Sequence, residues 1–249
     1  MINEDDEELR QLPFDFGKKV FMGREDFMVS ACNQEAFDML NAWPDWYDHG
    51  LVIYGPAGCG KSHLAHLFAD KVARSLKFPS KVSLLDARRI HLRSVNRIAH
   101  ENQSIVIENL TPKADMEALF HLFNIYHSAD RYMLWTSEYA PSRMHFALKD
   151  LQSRLNMLPS IEIKSPDDKM MRMLVVKLFN DRQIMINPET LDYIVLNARR
   201  SFKYIRDLVE EIDQISLAYQ SAVNAEIVKM AMDILYEKEE KQLDLFEEY

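Results

Sequence analysis

The chain has 249 residues, 47% hydrophobic and 28% charged, a balance that fits a folded globular protein and excludes collagen-like or disordered composition. A formal net charge of −9 argues against broad nucleic-acid affinity, which needs an excess of Lys and Arg, though it leaves room for a local basic patch. No apolar run approaches the length of a membrane span, and the N-terminus is acidic where a signal peptide would be basic and then apolar, so a cytoplasmic location is expected and no membrane partner.

In chain order, residues 1–24 read as an N-terminal arm, acidic at first and then carrying Gln11, Leu12, Phe14 and Phe16 where no core strand fits. Residues 25–165 read as an α/β domain. Phe27 and Val29 precede a helix with Ala36, Phe37 and Leu40 on one face. Trp43 and Trp46 either flank a ligand or pack in the core.

Leu51–Tyr54 is a short apolar strand, and it runs into Gly55, Pro56, Ala57, Gly58, Cys59, Gly60, Lys61 and Ser62. This octet fits G-x-x-x-x-G-K-[ST], the phosphate-binding P-loop, and Leu64, Leu67, Phe68 and Val72 come next at helical spacing. The chain has six glycines, and three of them fall in this loop, where the backbone must wrap closely around an anion. The helix N-terminus adds its positive end, Lys61 reaches the outer phosphates, and Ser62 offers a hydroxyl to Mg2+. Cys59 sits inside the loop, so a disulfide to Cys32 would distort it, and reduced thiols are expected. His63 adjoins the nucleotide, and with His66 it more simply packs in the helix than binds a metal.

Beyond the loop, strands are expected at Val82–Asp86, around Ile105–Ile107, at Arg131–Ser137 and at Ser160–Lys164, alternating with helices at 87–101, 114–129 and 143–156. That alternation predicts a parallel sheet sandwiched by helices. Residues 166–236 read as a small all-helical lid, with helices at 167–181, 188–198, 202–220 and 223–236. Residues 237–249 read as an acidic tail. Glu108, ending the central apolar strand, stands where P-loop proteins usually carry an Asp that supports Mg2+, and a longer side chain makes that geometry less exact. The next position often holds the acid that orients the attacking water. Here it is Asn109, which cannot take a proton as a carboxylate can, so weak or absent intrinsic hydrolysis is expected.

The chain resembles the AAA+ ATPases of the DnaA group over residues 10–236. The resemblance rests on Gly60 to Leu64, Glu117 to Asn124, Leu134 to Ser137, and Leu151 to Leu155. It implies that Thr136 and Ser137 carry sensor 1, that Arg154 is an arginine finger acting in trans, and that Arg206 is the sensor 2 arginine of the lid. It also implies ATP or ADP as ligand, and a homo-oligomer through the AAA+ interface as a further possibility. After the lid stands an acidic tail in place of the DNA-reading helix-turn-helix of the initiators, so no sequence-specific DNA binding is expected. Within the group the chain is similar to Hda-type regulators, which bind the DNA polymerase sliding clamp and promote ATP hydrolysis by DnaA.

Two end segments then acquire a meaning. Gln11, Leu12, Phe14 and Phe16 resemble a clamp-binding hexapeptide, and Gln242, Leu243, Leu245 and Phe246 match the clamp-binding consensus QLxLF. Such a peptide docks extended, with Leu and Phe in an apolar pocket and Gln fixing the register. The last helix is expected to end near Tyr236, leaving Glu237–Lys241 as a spacer. A helicase-loader-like or clamp-loader-like ATPase is the alternative, with appreciable DNA-stimulated hydrolysis as its mark. A stand-alone P-loop kinase would lack a use for Arg154, Arg206 and the lid.

Overall fold

The computed structural model describes residues 23–75 and 81–247, so Gln11, Leu12, Phe14 and Phe16 lie outside the described residues. The first elements are α1 (Gln34–Asn41), β1 (Gly50–Tyr54), α2 (Lys61–Ala73), β2 (Val82–Asp86), α3 (Val95–Glu101), β3 (Ser104–Leu110), α4 (Met116–Ser128), β4 (Tyr132–Ser137), α5 (Lys149–Met157) and β5 (Ser160–Glu162). Four helices complete the chain: α6 (Asp168–Asp181), α7 (Pro188–Asn197), α8 (Phe202–Tyr219) and α9 (Ala225–Glu247).

The five strands form one parallel sheet in the order β2-β3-β4-β1-β5. Its inner strands carry unbroken apolar runs at Leu51–Ile53, Ile105–Ile107 and Met133–Trp135 because both faces are covered, which is why these runs lack polar alternation. Leu51 and Ile53 of β1 face α1, α2 and the lid, whereas Val52 faces the layer of α3, α4 and α5. All three side chains are fully buried. β4 lies between β1 and β3, so the P-loop strand and the strand bearing Glu108 are not neighbours.

The lid is joined to the sheet by buried apolar side chains and by one carboxylate. Asp167 accepts the Met170 N–H at 2.7 Å, capping α6, and also accepts the Cys32 N–H at 3.2 Å. Asn187 and Ser201 cap α7 and α8 in the same way. The α/β part therefore gives way to helices at Pro166–Asp167, where the sequence changes character.

Three expectations need correction. Residues 87–101 are not one helix. Asp86 accepts the Arg88 N–H and starts a short 3-10 turn at Ala87–Arg89, a second turn spans Leu92–Ser94, and only Val95–Glu101 is α-helical. Residues 143–156 are likewise broken. A 3-10 turn occupies Pro141–Arg143, and the Gln152 side chain accepts the Phe146 N–H, holding the loop that precedes α5. The third correction is at the C-terminus. α9 does not stop near Tyr236 but runs to Glu247. No Gly or Pro comes after Tyr236 to end it, and Glu237–Lys241 consists of strong helix formers. Lys238 donates to Glu211 of α8 at 2.6 Å, which holds this extra length against the lid. Trp43 and Trp46 pack in the core instead of flanking a ligand: both are buried against Phe68, and Trp46 donates to the Met39 carbonyl at 2.7 Å.

Candidate nucleotide site

The P-loop closes the gap between β1 and α2 with three glycines at positive φ. At Gly58, φ is 78°, and a Cβ there would lie 2.3 Å from Arg206 Nη1. At Gly55 a Cβ would lie 2.5 Å from the Ile163 carbonyl oxygen. Both positions require glycine: each has a positive φ that strains residues with a Cβ, and at Gly55 the clash is with main chain, whereas at Gly58 the Arg206 side chain could move aside. Lys61 donates from Nζ to the carbonyl oxygens of Gly55 at 2.7 Å and Pro56 at 2.9 Å. Its charge is thus held at the loop by main-chain oxygens. Burial pushes the Cys59 thiol up, against the opposing pull of the Lys61 ammonium. Cys59 and Cys32 are both free and buried, as expected.

A cavity of about 530 Å³ opens over the loop. Gly58, Cys59, Gly60, Lys61, Ser62 and His63 form its floor, and Phe27 and Met28 lie on one side. Met170, Leu174, Phe202 and Arg206 bring the lid to the other. The size suits a small-molecule ligand, with apolar walls at one end and an anion nest at the other. His63 donates from Nε2 to the Gly23 carbonyl at 2.9 Å and packs edge-on against Phe27. It thereby ties the chain ahead of α1 to the P-loop helix. Among the described residues, no group of three or more His, Cys, Asp or Glu side chains is placed to hold a metal.

Asn109 also lines this cavity and Glu108 does not. The β3–β4 register slips between Ile107 and Leu110, and Asn109 adopts φ of 56° within the slip. Its N–H donates to Thr136 Oγ1 at 3.3 Å, and its side-chain Nδ2 donates to Asp86 Oδ2 at 2.9 Å. Asp86 in turn takes two bonds from the Arg88 guanidinium, at 2.9 and 2.6 Å. That pairing, together with Asn109, holds the Asp86 carboxyl well below the usual carboxylate range. The residue next to Glu108 is thus anchored by an acid at the end of β2. Asp86 is visible in the sequence only as the end of a strand, and its pairing with Asn109 depends on β2 and β3 being neighbours.

Thr136 and Ser137 are both buried. Thr136 supports Asn109, and Ser137 donates to the Tyr139 carbonyl at 2.7 Å, while its own carbonyl accepts the Gly55 N–H. Neither lines the cavity. Arg206 of α8 does, and its Nη2 donates to the Gly58 carbonyl at 2.8 Å. Arg154 lies apart from both, on α5. Its side chain is half-buried and makes no hydrogen bond or ion pair among the described residues.

The family model described as the bacterial DnaA ATPase domain matches residues 21–162, more than half of the chain. The chain belongs to the DnaA ATPase-domain family. DnaA of Flavobacterium psychrophilum is 27% identical over 198 residues, which cover 73% of this chain and 40% of that protein. The chain thus spans well under half of that relative's length. Domain III of Thermotoga maritima DnaA superposes with a TM-score of 0.69 at 18% identity, covering 84% of this chain and 94% of that one. AMPPCP-bound DnaA from Aquifex aeolicus gives a TM-score of 0.61 at 19% identity, over 78% of this chain and 64% of the other. The family match makes this a DnaA-like AAA+ nucleotide-binding domain, and the structural likenesses show its P-loop α/β fold. No helix among the described residues is long and apolar enough to cross a membrane.

Proposed function

We propose that this chain is an Hda-type regulator of replication initiation, a cytoplasmic protein that binds adenine nucleotide, docks on the sliding clamp and promotes ATP hydrolysis by DnaA through Arg154. The observation that carries the proposal is the pairing of an unpartnered arginine with a weakened site. Arg154 has no partner in its own chain among the described residues and does not line its own nucleotide cavity. At the same time, the residue that should orient water is Asn109, tied to Asp86. A site without its base turns over slowly, and a general base contributes about 10²–10⁴ in rate. An arginine finger given to another subunit contributes about 10³–10⁵. The chain is therefore suited to activating a partner's hydrolysis more than its own.

In this reading the P-loop and Arg206 hold ATP or ADP, the glycine loop supplying N–H donors and Lys61 the charge. Mg2+ would be held by the Ser62 hydroxyl and the phosphates, the usual arrangement for an ion that takes few protein ligands. Glu108, which does not line the cavity, has no direct role in this reading, and Thr136 fixes Asn109. The test is a mixture of this chain, clamp loaded on DNA, DnaA and ATP. DnaA turnover should rise with added chain, and turnover that stays at the DnaA-alone level contradicts the proposal.

A further inference from the structure

The segment that leads into α1 crosses the nucleotide cavity from the P-loop helix to the lid. It is a short 3-10 turn at Arg24–Asp26, with Gly23 before it and Phe27 after it. Asp26 and Phe27 line the cavity. Gly23 is where the rest of the N-terminal arm, residues 1–22, joins the described fold. Two half-buried side chains hold this upstream end. His63, the residue after Ser62 of the P-loop, donates from Nε2 to the Gly23 carbonyl at 2.9 Å. Lys177 of the lid helix α6 donates to the Asp26 carbonyl at 3.4 Å. The downstream end is fixed by burial. Phe27 stacks on Phe37 of α1 with 5.7 Å between ring centroids, and Asn33 donates to the Met28 carbonyl at 2.9 Å.

We infer that Gly23–Asp26 is a strap, pivoting at Phe27, that closes over bound nucleotide, so that occupancy of the cleft sets how firmly the root of the N-terminal arm is held. The inference rests on the nucleotide reading of the P-loop and concerns the regulation of that site. One end of the strap is packed in the core, whereas the other depends on two hydrogen bonds. Each of these contributes about two- to tenfold to the balance of closed over open. Lifting the strap removes Asp26 from the cavity wall and takes the bonding partners away from His63 and Lys177, which line the same cavity. A ligand in the cavity therefore meets a complete wall only when the strap is closed. A ligand that binds the closed form alone suppresses opening by about 100-fold at a concentration of 100 times its Kd. A protein that grips the arm and a nucleotide in the cleft are thereby linked, each changing the other's affinity by the same factor.

The experiment is hydrogen–deuterium exchange of the full chain, read at the Asp26 and Phe27 amides, with ADP binding measured in parallel by calorimetry. These amides bond to the Gly23 and Arg24 carbonyls inside the strap, and a lone 3-10 turn keeps neither bond once it is freed. In the wild type, ADP at about 100 times its Kd should slow their exchange at least about tenfold. Without nucleotide, His63→Leu should speed it about two- to tenfold, and His63→Gln, which keeps a side-chain N–H donor, should exchange as the wild type does. Lys177→Met removes the second tie and should speed exchange in the same way, which keeps the test open if His63→Leu fails to fold. Exchange that ADP leaves unchanged, while calorimetry shows it bound, overturns the inference and leaves the nucleotide reading standing. Wild-type exchange in both His63→Leu and Lys177→Met does the same. A wild type that binds no ADP defeats the nucleotide reading and the inference together.

Discussion

Arg206 of the lid helix α8 donates to the main-chain carbonyl of Gly58, 148 residues earlier, at 2.8 Å. A Cβ at Gly58 would lie 2.3 Å from the same guanidinium, which would have to swing aside. A lid side chain is therefore seated on the phosphate loop itself, and a phosphate arriving there exchanges one acceptor for a more strongly charged one. On the proposed reading, lid position and nucleotide occupancy would be coupled through this contact. Arg206→Ala should weaken nucleotide binding by roughly ten- to a hundredfold, the range of a hydrogen bond to a charged group. Gly58→Ala should weaken it more, since a φ of 78° strains any residue with a Cβ and Arg206 must also shift to clear it. The double variant should lose less than the sum of the two, as expected of residues in contact. Strict additivity in the titrations would show that the contact does not matter to binding.

Asn109 and Asp86 form a donor–acceptor pair at the place where hydrolysing relatives of the P-loop class need a carboxylate. Asn109→Glu alone sets two carboxylates against each other. Combined with Asp86→Asn, the pair keeps one donor and one acceptor in reversed order. Intrinsic hydrolysis in single-turnover assays should rise by about 10²-fold or more in the combined variant, and little in Asn109→Glu alone. A wild-type turnover of about 1 s⁻¹ or more without partners, within the ordinary range for enzymes, would contradict the reading of Asn109.

The P-loop, the five strands and the four lid helices are legible in the sequence because each depends on local pattern: glycine placement, unbroken apolar runs, and 3.6-residue periodicity. The breaks at 87–94 and 141–148 are not, since side chains such as Asp86 and Gln152 set them by bonding to nearby main-chain groups. Beyond Tyr236 the run of charge suggests a solvated tail, whereas α9 continues and Lys238 binds Glu211. At the site, motif and resemblance point to Lys61 and Arg206. They do not point to Asp86, because only the pairing of β2 with β3 brings it to Asn109.

Asp167 joins the lid to the chain ahead of α1 through its carboxylate. Burial resists its ionisation, but the Met170 and Cys32 N–H groups and the Ser30 hydroxyl overcome this and hold its carboxyl below the ordinary range. A carboxyl with a depressed folded pKa stabilises fully above the unfolded value, about 3.9, and loses that contribution as pH falls through the folded value. Asp167→Asn should therefore be less stable than wild type at pH 7, with the gap in melting temperature closing below about pH 4. A gap independent of pH would mean that the charge plays no part.

The sequence favours the C-terminal motif as the stronger clamp anchor, but the helical C-terminus shifts the expectation to the N-terminal one. Because α9 runs to Glu247, residues 242–246 are helical, and docking as an extended peptide would first unwind the last turns. Gln11→Ala with Leu12→Ala should weaken clamp binding more than truncation after Lys241 does. If both motifs engage the ring, the combined variant should lose avidity of about 10²–10⁴. Undiminished binding by the combined variant would remove the clamp from the account.

The central claim is that Arg154 works in another protein's site. Its most direct measurement is DnaA ATP turnover with loaded clamp, comparing wild type with Arg154→Ala at equal clamp occupancy. Arg154→Ala should retain nucleotide and clamp binding and lose at least about 10³-fold of the stimulated rate, or all of it where stimulation is smaller than that. Full stimulation by Arg154→Ala would contradict the account.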